Sequence, residues 1–87
     1  MAENIRTIKT VLYPEEIGSR GAKQAIMAAA IQTATLHRLS YGVLRSLPYI
    51  SLWLSECDIS DSPDRPIEVL LDVRGDCVEG VRYGWAE

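Results

Sequence analysis

Apolar positions recur with a helical period in one long stretch, residues 19–47. At about 100° per residue, Ala22, Ala25, Ile26, Ala29, Thr33, Leu36, Ser40, Val43, Leu44 and Leu47 share one side. Arg20, Lys23, Gln24, Thr35, Arg38 and Arg45 share the other, the pattern of a helix with one buried face. Small residues in the first half of that face predict a close approach to a sheet, and larger ones in the second half a deeper core. Ser19 is the expected N-cap. Gly42 and Pro48 set the end: glycine weakens a helix and the residue before proline leaves helical geometry. The outer side is not uniformly polar. Met27 and Ile31 are one turn apart and point out with Arg20, Lys23 and Arg38, forming a candidate contact patch.

The rest of the chain reads with period two. Residues 5–13 form a first strand, with Pro14 ending it. Residues 49–55 alternate Ile50, Leu52 and Leu54 against Ser51, Trp53 and Ser55, which predicts a strand. A short helix entered through Pro48 and capped by Ser46 is the alternative. Residues 57–66 are dense in Asp, Ser and Pro and predict a flexible loop. In the next strand Ile67, Val69, Leu71 and Val73 face one way; Val81, Tyr83 and Trp85 define the inner side of the last. A two-residue turn at Gly75-Asp76 puts Gly80 and Arg82 opposite Leu71 and Val69. A three-residue loop, Gly75-Asp76-Cys77, pairs Leu71 with Val81, Val69 with Tyr83 and Ile67 with Trp85, and is the expected form because a one-residue slip turns every side chain over. The predicted fold is α+β, a single domain over residues 1–87. One long amphipathic helix crosses a small antiparallel sheet in the order β-α-β-β-β. The other sheet face is open, with Trp53 and Leu70 on it as a second candidate interface.

Composition narrows the function classes. The 87 residues carry a formal charge of −3, with nine Lys and Arg that form no run. Binding driven by phosphate neutralisation needs a basic face, so nucleic acid is set aside as a partner. No apolar run is long enough to span a membrane. The acidic opening Met1-Ala2-Glu3-Asn4 is not a secretory signal, and the expected location is cytoplasmic.

Candidate chemistry is sparse. His37 is the sole histidine, and with Cys57 or Cys77 it forms the one conceivable nucleophilic pair, without a supporting motif. Cys57, Cys77 and His37 lack the paired spacing of a zinc site, and Asp58, Asp61 and Asp64 lack the spacing of a calcium loop. Gly18-Ser19-Arg20-Gly21 opens a helix without the spacing of a phosphate loop. No catalytic, cofactor or metal residue is assigned. The outline strand, helix, three strands resembles small bacterial ribonuclease toxins of the RelE/ParE type. Those are basic, and their catalytic and antitoxin-binding residues have no counterpart here.

The expectation is therefore a non-catalytic protein-interaction module: a small acidic docking subunit or inhibitor, of the kind phages and mobile elements encode, and able to self-associate. Met27, Ile31, Arg20, Lys23, Arg38 and Trp53 are the expected partner-binding residues. A small enzyme using His37 with a cysteine, and a toxin-like or nucleic-acid-binding domain, are the alternatives.

Overall fold

The computed structural model describes residues 4–56, Ile59 and residues 64–86, with the side chains of Arg20 and Glu56 outside that set. Most of the predicted 57–66 loop lies outside the described residues. Strand β1 (Ile5–Leu12) leads into a one-turn helix α1 (Pro14–Ile17). Pro14 takes the first helical position, and the Glu16 carboxylate accepts the Tyr13 N–H at 3.1 Å. A short 3₁₀ turn follows, and then α2 (Ala22–Leu36), a second 3₁₀ turn over Gly42–Arg45, α3 (Leu47–Glu56) and the hairpin β2 (Ile67–Arg74) and β3 (Cys77–Trp85). The fold is α+β, with a three-stranded antiparallel sheet in the order β1-β2-β3.

The single long helix is divided. Gly18 and Gly21 have φ of 62° and 84°, so the chain turns out of helical geometry on both sides of Ser19. Gly21, rather than Ser19, is the N-cap of α2. At the other end α2 stops at Leu36, earlier than the sequence suggests. Arg38 sits at φ 56°, the one non-glycine at positive φ among the described residues. The Leu39 N–H donates to Ala34 O at 2.9 Å and the Arg38 N–H to Thr35 O at 3.1 Å. This is a Schellman turn with arginine at the position glycine usually takes, closed by the buried pair Ala34 and Leu39.

The reversal brings residue 40 against the far strand. Ser40 forms a parallel bridge with Cys77: its N–H donates to Asp76 O at 2.6 Å, and the Val78 N–H donates to Ser40 O at 3.0 Å. Gly42 then passes so close to β3 that a Cβ there would stand 2.2 Å from the Val78 carbonyl oxygen and 2.9 Å from Cys77 Sγ. The sequence marks Gly42 as a helix breaker; its structural need is this close approach, at φ 53°.

Residues 49–55 are helical, not extended. The Ser46 hydroxyl accepts the Tyr49 N–H and its carbonyl the Ile50 N–H, so Ser46 caps α3. Tyr49, Ile50 and Trp53 turn inward at helical spacing. The Tyr49 hydroxyl accepts the Val81 N–H at 3.2 Å, and Trp53 meets Tyr83 edge to face at 5.6 Å. Helix and strand were ambiguous here because the segment is short and apolar on several sides.

The expected strand pairs Leu71–Val81, Val69–Tyr83 and Ile67–Trp85 are all present. The loop is nevertheless two residues long: Arg74 pairs with Cys77, and Gly75 has φ 63°. Parity is restored by a bulge, since Asp72 faces Gly80 while Val73 faces Val78, leaving Glu79 as the extra residue.

The core lies between α2 and the sheet. Ala22, Ala25, Ile26, Ala30 and Ala34 pack with Ile67, Val69, Leu71, Val73 and Val78, all almost fully buried. Relative to the sequence reading α2 is rotated: the flank Met27, Ala30 and Ala34 turns in, and Leu36 turns out. Large residues do not fill the second half of its packing face. Leu39 and Leu44, delivered by the Schellman turn, supply that bulk instead.

Two outcomes test these turns. Replacing Arg38 by glycine removes the left-handed strain, and thermal melting should show stabilisation of about 1 kcal/mol, a rise of about 4–8 °C. Gly42→Ala should cost about 2–4 kcal/mol in denaturant unfolding, because the backbone of β3 cannot move away from the new methyl group.

Candidate interaction surfaces

The structure disperses the expected partner-binding residues. Met27 is 5% exposed and belongs to the core, so the Met27/Ile31 patch loses its larger member. Ile31 remains at the surface, Lys23 is half-buried, and Arg38 is exposed at the helix end. The Arg20 side chain lies outside the described residues. Trp53 is on α3 against Tyr83 and so not on the open sheet face. His37 is exposed beside the Schellman turn. Cys77 is a free, half-buried thiol whose Sγ donates to the Val78 carbonyl at 3.7 Å; Cys57 lies outside the described residues. Among the described residues, no three His, Cys, Asp or Glu side chains converge as metal ligands, and no helix is long and apolar enough to cross a membrane.

The open sheet face is a ladder of paired charges. Strand register places Thr7, Asp72 and Gly80 in one row and Lys9, Leu70 and Arg82 in the next. Arg82 grips Asp72 with two hydrogen bonds, Nε to Oδ2 at 2.9 Å and Nη2 to Oδ1 at 2.8 Å. Thr7 donates to Asp72 at 3.3 Å, and Lys9 pairs with Glu68 at 3.7 Å. The hydrogen bonds from Arg82 hold the Asp72 carboxyl below its usual value; the guanidinium charge and Thr7 act in the same direction, and partial burial opposes them. Polar groups on this face thus satisfy one another.

Two other surfaces are less well satisfied. The first is the outer side of α3. Leu47 is 77% and Leu52 57% exposed, and Pro48, Ser51 and Ser55 share that side. From Ser46 to Ser55 the chain carries no charge, although 24% of its residues are charged. A solvent-facing helix side normally carries charge. The sequence reading placed Leu47 on the buried face of a continued α2. Ending α2 at Leu36 gave Leu47 a new axis and exposed it.

The second surface is the free edge of β1. The edge of β3 is partly covered by Ser40 and by the Tyr49 hydroxyl. Among the described residues, β1 pairs only with β2. Beside this edge α2 overhangs to leave a groove of about 260 Å³, lined by Thr10, Val11 and Leu12 on the strand, by Glu16, and by Ala25, Ala28, Ala29, Gln32, Thr33 and Leu36 on the helix. Leu36 is 74% exposed at its rim. The alanines that seat α2 on the sheet also leave this groove hollow. No family model matches the chain, and no curated protein or solved structure matches it either.

The Asp72–Arg82 pair gives a pH prediction. Because the folded carboxyl lies below the unfolded value of 3.8, its stabilisation is complete above that value and fades as pH falls through the lowered one. The melting-temperature gap between wild type and Asp72→Asn should be constant near neutrality and shrink in acid. A pH-independent gap would mean that the ion pair contributes nothing.

Proposed function

We propose that this chain is a non-catalytic protein-interaction module, a small acidic docking subunit or inhibitor that binds through the outer side of α3. The observation that carries this reading is the uncharged helix side bearing exposed Leu47 and Leu52. Burying two such leucines supplies about 1.5–3 kcal/mol each. The complementary partner is a protein with an apolar groove that receives a helix. Tyr49 and Trp53 suit the role by fixing the inner side of α3 to β3, so the helix is presented already ordered and little entropy is lost on docking. The net charge of −3 and the scattered cations favour a protein over a nucleic acid as partner.

The test is capture from an extract with wild type and with a Leu47→Glu, Leu52→Glu variant side by side. Both substituted positions are exposed, so the variant should keep the wild-type circular-dichroism spectrum and melting temperature. A protein retained by wild type and lost from the variant supports the reading only if, once purified, it binds wild type directly and the folded variant at least about tenfold more weakly. Equal capture by a folded variant removes α3 as the binding surface.

A further inference from the structure

Among the described residues no strand pairs with the outer edge of β1, and this edge and its groove point to a second copy of this chain as their occupant, independently of α3. We infer that two chains join antiparallel through β1, with Ile8 on the two-fold axis, merging two three-stranded sheets into one of six. Three observations carry this.

The strand is self-complementary in that register. On the helix side of the sheet lie Arg6, Ile8, Thr10 and Leu12, opposite the buried Val73, Leu71, Val69 and Ile67 of β2; Ile5, Thr7, Lys9 and Val11 lie on the open side. With Ile8 on the axis, Ile8 meets its own counterpart, Thr7 faces Lys9, Arg6 faces Thr10 and Ile5 faces Val11. Every pair shares a face and no like charges oppose. Moving the axis to Lys9 sets two lysines opposite each other and Arg6 against Leu12, which cross-strand energetics disfavour.

The groove carries an acidic group. In this register Arg6 of the second copy arrives beside Thr10, on the groove that Glu16 also lines, where a cation adds to the bonds Glu16 already makes. Arg6 is exposed, and among the described residues it makes a long 3.4 Å contact to the Gly75 carbonyl.

The rim is apolar. Leu36, the last residue of α2, lines the groove and is 74% exposed, so a second copy seated on the β1 edge would cover it. A two-fold interface requires a self-matching surface, which the β1 register supplies, and the outward backbone groups of an edge strand provide the pairing.

Sedimentation equilibrium into the high-micromolar range, with cysteine cross-linking, decides the matter. The wild-type mass should be twice 9.7 kDa. Leu36→Glu puts a charge on the apolar rim that the second copy covers and should weaken the dimer by more than about tenfold without loss of fold. In a Cys57→Ser, Cys77→Ser background, mixing Thr7→Cys chains with Lys9→Cys chains should yield a disulfide dimer under mild oxidation that neither yields alone. The Leu47→Glu, Leu52→Glu variant should dimerise like wild type, separating this contact from α3. A wild-type monomer, a Leu36→Glu dimer of undiminished strength, or cross-linking within either cysteine variant alone would each overturn the inference.

Discussion

The two hydrogen bonds between Ser40 and the start of β3 decide how the remainder of the chain is arranged. They hold the segment after α2 against one edge of the sheet, while among the described residues no strand pairs with the opposite edge. The Schellman turn at Arg38 makes the approach possible by reversing the chain, and Gly42 lets it pass the Val78 carbonyl without a side chain in the way. From there the 3₁₀ turn delivers Leu44 to the core and starts α3 alongside β3. The Tyr41 hydroxyl shares a hydrogen bond with Thr35 on α2, and the Arg45 guanidinium lies over the Tyr41 ring at 4.7 Å, so the crossing is tied at both of its flanks.

This arrangement divides the surface into parts of different character. The polar groups of the open sheet face are paired with one another, with Arg82 bridging β3 to Asp72 on β2 and to Thr7 on β1. Ile5, 52% exposed, and Leu70 lie among them. The β1 edge and the outer side of α3 are the reverse, since each presents apolar side chains that water serves poorly: Leu36 at the rim of a hollow groove in one case, Leu47 and Leu52 in the other. They lie on opposite flanks of the sheet. Self-association through one and docking through the other would therefore not compete.

The sheet was legible because its information is local. Alternation in residues 67–73 and 81–85 fixed which side chains face inward, and burial of one face fixed the register. The turn differs from the expected three-residue loop because parity can be restored in two ways, by a longer loop or by a bulge, and alternation alone does not distinguish them. Glu79 as the extra residue becomes visible only when Val73 is seen opposite Val78.

The sequence by itself determined the α+β class, the antiparallel strands, their inward faces and the presence of a small-residue helix. These follow from periodicities that each segment carries alone. Tertiary structure decided the ends of that helix, its rotation and the state of residues 49–55. Arginine at a left-handed position, close approach at Gly42 and capping by Ser46 depend on partners far along the chain, and propensity has no access to them. The candidate surfaces belong to this second class. Leu36 and Leu47 look like core residues on a continued helix, and Met27 like a surface one. Ending α2 at Leu36 and turning it toward Met27 exchanged their places.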